Sequence, residues 1–325
     1  MTSSRTSSAS AHPVPPILPQ RMRAWIGTPD GPDLRIVALP EPAPDQALVS
    51  VAAFSVNRGE LNLFRRRAEG WRPGQDLAGV VVRAAADGSG PAAGTRIAAM
   101  NDFGGWAQYA AVPVDRLAVL PDAVAFAEAA TLGVAGLTAL RALRRGGPLL
   151  GRRVLVTGAS GGVGSFAVQL AAAEGAEVTA LTGTHRDLDL KALGAHHVVT
   201  SLADAEGDFD VILESVGGEV LVTALKRLSA FGHIVVLGTS SGRTASLSIS
   251  SFVPHVRQTL HPFWVFGSGE PVGEDLELLV RLIDLGRLRP VLGHQDAWER
   301  LPEVMTSLRE RRIAGKATLL VHDGA

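Results

Sequence analysis

The stretch Val154–Leu181, VLVTGASGGVGSFAVQLAAAEGAEVTAL, runs from an apolar strand through a glycine turn into an apolar-faced helix and out to a second strand. A βαβ unit with glycines in its first turn is the arrangement that holds a dinucleotide. Gly161 and Gly162 let the backbone approach a pyrophosphate, and Gly164 lets the helix pack on the strand. The helix N-terminus, with Ser160 and Val163 beside it, offers N–H groups and a positive dipole end. An ordinary tight βα turn is the competing reading, and the βαβ context argues against it. The second strand ends Thr182-Gly183-Thr184-His185-Arg186, with no acid before Asp187. An acid at that point would hold a ribose 2′-hydroxyl. Hydroxyls and an arginine suit a 2′-phosphate instead, so Thr182, Gly183 and Arg186 point to NADPH. The alternative for Arg186 is a solvated residue at a helix start.

Outward from this unit the chain has two textures. Towards the C-terminus strands and helices alternate: a helix is expected at Leu188–Leu193, strands at His197–Thr200 and Asp210–Leu213, a helix at Val220–Leu228 and a strand at Ile234–Leu237. That alternation predicts an α/β, doubly wound parallel sheet. Towards the N-terminus the pattern is β-rich. A hairpin around GTPDGPD precedes strands at Ala47–Val56, Leu77–Ala84, Gly94–Ala99 and Ala107–Val112. Ala125–Arg145 reads as helix, Asp275–Leu285 and Leu301–Arg311 as further helices, and Ala317–Val321 as a closing strand. Residues 1–20 are rich in Ser and Pro, and read as a disordered leader or a packing arm.

Composition removes several classes. The chain has 325 residues and a net charge of -1, so no basic field draws it to nucleic acid. It has no cysteine, which excludes disulfides, thiolate nucleophiles and thiolate-ligated zinc, and fits a reducing, cytoplasmic setting. No apolar run is long enough for a membrane span. The single tyrosine, Tyr109, lies upstream of the glycine turn with Pro113 four residues on. The Tyr-x-x-x-Lys chemistry of short-chain dehydrogenases therefore has no place here.

Several short motifs keep one order along the chain: Ser55-Val56-Asn57, Pro73-Gly74-Gln75-Asp76-Leu77-Ala78-Gly79-Val80, Gly104-Gly105-Trp106-Ala107-Gln108-Tyr109 and Ala135-Gly136-Leu137-Thr138-Ala139. The glycine turn follows, then Glu214-Ser215-Val216-Gly217-Gly218, Gly238 and Gly315-Lys316. Together they resemble the medium-chain dehydrogenase/reductase superfamily, in its zinc-free quinone oxidoreductase and enoyl reductase branch. The resemblance implies a GroES-like β-rich catalytic domain at 21–124 and 268–325, interrupted by a Rossmann NADP-binding domain at 125–267. Zinc alcohol dehydrogenases carry an early Cys and Gly-His-Glu where this chain has Gly74-Gln75-Asp76, so no metal is expected.

By the same resemblance Thr138 and Phe266 lie by the nicotinamide, and Val216-Gly217 and Gly238-Thr239 line the cofactor cleft. Arg311 and Lys316 stand near the adenosine end or are solvated charges. Ser201 occupies the place of an adenine-stacking Tyr. Asn57 matches a polar residue beside the nicotinamide ribose, and Glu60 and Asn62 follow in a cleft-lining segment. Glu60 has a second reading, a surface ion pair with Arg58 or Arg65. Arg65-Arg66-Arg67 reads either as a solvated loop or as an attraction for a CoA- or carrier-bound substrate. His255 and His261 could form a metal pair, but no acid or third His lies close by in sequence; Phe263, Trp264 and Phe266 in the same segment read as pocket wall and subunit contact, or as plain core.

The implied activity is NADPH-dependent, zinc-independent hydride transfer to an activated C=C or a quinone, in a homodimer acting on a small molecule. Two alternatives stand beside it: a cofactor-binding protein without hydride chemistry, and a redox-neutral cyclase or isomerase.

Overall fold

Arg21–Thr28 (β1) and Gly31–Ala38 (β2) form an antiparallel hairpin in register from Arg21↔Ala38 to Thr28↔Gly31. A computed structural model describes residues 18–64, 66–183, 188–248 and 257–322. Most of the expected leader, together with Arg65, Arg186 and His255, lies outside the described residues.

A seven-stranded sheet follows. Five of its strands are β3 (Gln46–Val56), β4 (Asp76–Arg83), β5 (Arg96–Met100), β6 (Tyr109–Pro113) and β7 (Leu117–Val119), with helix α1 (Arg58–Leu63) between β3 and β4, and the other two come from the C-terminal segment. The first four of these strands stand where their alternating apolar residues predict them. Trp25, Phe54, Trp106 and Trp298 fill the core on one face. Phe54 and Trp106 stack at 5.7 Å, and Trp298 meets Phe54 edge-on.

The stretch expected as one helix at 125–145 is broken into α2 (Phe126–Ala129), a wide turn at Leu132–Gly136 and α3 (Leu137–Arg145). The cause is Asp76, whose Oδ1 accepts the Val134 N–H at 2.6 Å. A side chain at Gly133 would meet the same oxygen at 2.4 Å. The carboxylate takes a donor out of the helical ladder, and the turn widens around it.

The second sheet is wholly parallel. β8 (Arg153–Thr157) leads through α4 (Gly162–Ala173) to β9 (Glu177–Leu181). Then come β10 (His197–Val199), β11 (Phe209–Glu214), α5 (Glu219–Leu225), β12 (Leu228–Val236) and β13 (Thr259–Pro262). The strand order is β10-β9-β8-β11-β12-β13, so the direction of winding reverses between β8 and β11. That is where open α/β sheets bind their ligands. No helix forms at Leu188–Leu193, contrary to expectation. Asp189 Oδ1 caps the Ala192 N–H at 3.0 Å and Gly194 turns away with φ +102. One capped turn is too short to propagate.

The chain closes with α6 (Val272–Asp284), β14 (Leu292–Ala297), α7 (Leu301–Arg309) and β15 (Lys316–Leu320). β15 pairs antiparallel with β3, and β14 pairs parallel with β15, so the C-terminal segment rejoins the first sheet. Arg141, almost wholly buried, ties α3 to α6 through Asp275 Oδ2 at 2.7 Å. Among the described residues no helix is long and apolar enough to cross a membrane.

Candidate active site

The glycine turn is shaped by what its neighbours leave room for. Gly158 has φ +61, and a Cβ there would stand 2.7 Å from Ser215 Oγ. A Cβ at Gly164 would lie 2.4 Å from Gly158 O, so this glycine seats α4 on β8. Gly161 is crowded only by Gly158 O at 3.2 Å. It precedes α4 as an N-cap with no side-chain hydrogen bond. The N–H groups of Gly162, Val163 and Gly164 therefore have no intrahelical acceptor. Free donors, a positive dipole end and a bare glycine at the reversal point fit a dinucleotide pyrophosphate. Ser160 Oγ accepts from Thr182 Oγ1 at 2.7 Å, which joins the end of β9 to the turn. Gly183 is exposed beside it with nothing within 4 Å of its Cβ position.

Across the reversal point a buried carboxylate organises the opposite wall. Glu214 accepts from Thr157 Oγ1 at 3.0 Å, Val216 N at 2.8 Å and Gly217 N at 3.0 Å. Burial raises its pKa, and these hydrogen bonds oppose the rise. Gly217 sits against Thr239, whose Cα would be 3.1 Å from a Cβ. Ser240 N and Ser241 N bond to Ser215 O and Val216 O. Val216-Gly217 and Gly238-Thr239 are thus brought together. Arg311 reaches the same loop, donating to Ser240 O at 2.7 Å.

The strongest concentration of buried polar groups lies where the two sheets meet. Asp76 Oδ2 accepts from Ser55 Oγ at 2.7 Å, Asn57 Nδ2 at 2.8 Å and Lys316 Nζ at 3.2 Å. Lys316 Nζ also donates to Asn57 Oδ1 at 2.5 Å. Glu60 Oε2 accepts from Asn57 N at 2.9 Å and Nδ2 at 3.3 Å, and Oε1 accepts from Gln75 N at 2.9 Å. The backbone bond is half of a capping box, set by Asn57 standing three residues before Glu60 at the start of α1. Burial, and then the neighbouring Asp76, push the Glu60 pKa up to about 8. The N–H groups of Asn57 and Gln75, and Lys316, pull the other way. The cluster touches the glycine turn directly: Gly315 N donates to Ser160 O at 2.8 Å. The Lys316 stem lies so close to Gly162 that a Cβ there would be 2.8 Å from Lys316 Cδ.

Asn57 and Glu60 therefore stand together. The surface ion-pair reading of Glu60 is overturned, because the side chain is wholly buried among polar donors. Lys316 is corrected too. Its ammonium is 3% exposed and bonded to Asn57 and Asp76, so it is neither solvated nor free for the adenosine end. Asn62 points to solvent from α1. Ser201 is exposed and its Oγ caps the Ala203 N–H at 3.2 Å. Thr138 is buried in the first turn of α3. Phe266 is half-buried with its ring 5.7 Å from Trp264. His261 stacks on His233, with 3.4 Å between ring nitrogens. Among the described residues no group of three or more His, Asp or Glu side chains could hold a metal ion. Asp76, Ser55 and Gln75 were not singled out as site residues by sequence. An acid opening an otherwise apolar strand, Asp76-Leu-Ala-Gly-Val-Val-Val, is the signal that could have found the first.

Comparison with known proteins places this geometry. Residues 43–122 match the alcohol dehydrogenase GroES-like domain, and residues 162–283 match the zinc-binding dehydrogenase family. The chain is 30% identical to a 2-methylene-furan-3-one reductase of Solanum lycopersicum, over 93% of this chain and 80% of that one. It is 33% identical to a quinone oxidoreductase of Mus musculus, over 62% and 67% respectively. In fold it matches a mycobacterial protein solved in complex with NADPH, with a TM-score of 0.83 at 22% identity over 92% of this chain and 99% of that one.

Proposed function

The chain belongs to the medium-chain dehydrogenase/reductase superfamily, in its zinc-free quinone oxidoreductase branch, and we propose that it is an NADPH-dependent reductase of activated C=C bonds or quinones. The observation that carries this reading is the junction of a bare pyrophosphate cradle with a buried Asn57–Asp76–Lys316 cluster. A reduced nicotinamide dinucleotide, when bound, supplies a hydride.

The chain's own residues do the rest. Gly162, Val163 and Gly164 offer backbone donors to the diphosphate, with Ser160 beside them. Lys316 crosses Gly162 and ends on Asn57, so the amide that faces the cofactor's ribose is fixed by the chain that closes the cradle. Thr182 and Arg186 support a 2′-phosphate, which favours NADPH over NADH. Arg186 lies outside the described residues, so that preference rests on sequence. The tomato relative is named for reducing a methylene-substituted ketone and the mouse one for quinones, which supports an electron-poor, conjugated acceptor. The proton that completes reduction of a C=C comes from solvent, because Asn62 is a poor acid.

We assign the protein to the cytoplasm as a homodimer meeting along β13, an edge strand among the described residues, where Leu260 and the nearby Trp264 are exposed. The test is oxidation of NADPH across a panel of enones, enoyl thioesters and quinones. The expected result is turnover with at least one class. Product formed without loss of NADPH would favour a redox-neutral enzyme instead. NADPH bound with no turnover would favour a binding protein.

A further inference from the structure

We propose that Arg311 is the latch of the cofactor crevice: its hydrogen bond to Ser240 ties the closing segment of the chain over the crevice, and the dinucleotide enters and leaves only when that bond opens. This rests on the reading of the crevice as an NADPH site. Arg311 has φ +61 just beyond the end of α7. Its N–H donates to Leu308 O at 3.2 Å, and the Arg312 N–H donates to Ser307 O at 2.9 Å. That pair of bonds marks a left-handed helix cap whose turning residue is ordinarily glycine. The chain follows the rule at two other helix ends. Gly175 (φ +83) turns the chain after α4 and Gly286 (φ +66) after α6, each with the same two bonds. After α7 the place is held by a residue with a long side chain, in backbone that only glycine adopts freely. An outlier of this kind beside a site directs attention to what the side chain does.

Arg311 Nη2 donates to Ser240 O at 2.7 Å. Ser240 follows β12, and its loop is tied back to the end of β11 by Ser240 N to Ser215 O at 3.0 Å and Ser241 N to Val216 O at 2.8 Å. Further along the closing segment, Gly315 N donates to Ser160 O at 2.8 Å, in the glycine turn after β8. β8 and β12 flank β11 in the parallel sheet, so their ends are about 10 Å apart. The backbone from Arg311 to Gly315, fully extended, covers at most about 14 Å. Residues 311–315 therefore span the crevice from the glycine turn to the loop after β12. Ile313, 4% exposed, packs this strap into the core of the seven-stranded sheet, and the buried Lys316 follows Gly315. That end is fixed. The Arg311 end is exposed, and it is the part that releases.

Arg311 in this role is a positioning residue that acts through Ser240. A latch that must open before entry and before exit slows association and dissociation alike. A direct ligand of the cofactor slows dissociation and leaves association nearly unchanged. The two roles are therefore separable by kinetics.

The experiment compares wild type with Arg311→Gly, which keeps the helix cap and removes the guanidinium. Stopped-flow fluorescence of NADPH gives both rate constants. Hydrogen exchange read by mass spectrometry follows the segment that holds the Ser240 and Ser241 amides. Both rate constants are expected to rise about fivefold, the worth of one hydrogen bond, so Kd changes less than either. Exchange in the loop after β12 is expected to quicken, with thermal stability retained. A rise in dissociation alone would overturn the latch and make Arg311 a cofactor ligand. Unchanged rates, or unchanged exchange, would overturn it as well. Wild type that binds no NADPH would sink the cofactor reading, and the exchange comparison then decides the latch by itself. Neither readout uses an acceptor, so failure to reduce any enone or quinone leaves the latch standing.

Discussion

Lys316 Nζ and Asp76 Oδ2 lie 3.2 Å apart at a point where the lysine is 3% exposed and the aspartate 0%. One stands on the last strand of the chain and the other on the strand that follows α1. Taking both charges out of water is costly, and the cost is offset only if every remaining lone pair and proton is used. Here Ser55, Asn57 and the Val134 N–H complete the carboxylate, and Asn57 Oδ1 takes a second ammonium proton. The pair holds the returning C-terminal segment against the first sheet while its next neighbour, Gly315, binds the glycine turn. Fold and cofactor cradle therefore share one electrostatic joint.

Removing one partner should expose that sharing. Lys316→Met leaves Asp76 buried without its cation and is expected to cost about 3–5 kcal/mol in urea unfolding. Cofactor affinity should fall with it. Adding Asp76→Leu to Lys316→Met should recover part of the stability and none of the affinity. Unchanged unfolding in Lys316→Met would show that the joint carries no energy.

Glu60 gives the protein a pH dependence of stability. Its pKa rises from an ordinary 4.5 to about 8 on folding, chiefly through burial. Between those values the native state holds a proton that the unfolded chain has released. Stability contributed by this group is therefore fully present below 4.5, declines as pH rises through the window, and levels off above about 8. Glu60→Gln is expected to flatten the curve over that range in denaturation at a series of pH values. A variant curve that keeps the wild-type slope would assign the dependence elsewhere.

Two glycines of one turn should fail differently. Gly164→Ala drives a methyl into Gly158 O and the Ala159 backbone, with an expected stability loss of about 1–3 kcal/mol. Gly161→Ala meets only Gly158 O at 3.2 Å, so the fold should persist while NADPH binding weakens by at least about tenfold. Calorimetric titration beside thermal unfolding separates the two effects. Equal behaviour of both variants would contradict the division of roles.

Much of this was legible in the sequence. The βαβ unit at Val154–Leu181 announced itself because apolar strands and a glycine turn are local signals, and β3 and β4 did so through alternation. What stayed hidden was long-range. β14 reads Leu-Gly-His-Gln-Asp-Ala and owes its strand conformation to pairing with β15. The broken helix at 132–136 depends on a carboxylate that is distant in sequence, Asp76. Lys316 reads from the sequence as a charge near the cofactor, but nothing local says that its ammonium turns inward. Glu60 stands out in the sequence by its type but its burial does not, because Arg58 and Arg65 beside it suggest a solvated face.

The cofactor preference is open to direct mutation. Arg186→Ala should weaken NADPH binding about tenfold or more, the worth of a charge-assisted hydrogen bond, and leave NADH binding unchanged. Paired titrations followed by nicotinamide fluorescence measure both. Equal loss for the two cofactors would remove Arg186 from phosphate recognition.

The central claim is hydride transfer from NADPH to an activated acceptor, and isotope transfer tests it most directly. NADPH carrying deuterium at the nicotinamide C4 position is incubated with the protein and an enone, and the product is weighed by mass spectrometry. The account predicts one deuterium in the saturated ketone, at the carbon β to the carbonyl, for each cofactor oxidised. Cofactor that stays reduced and fully deuterated with enones, enoyl thioesters and quinones alike would contradict it.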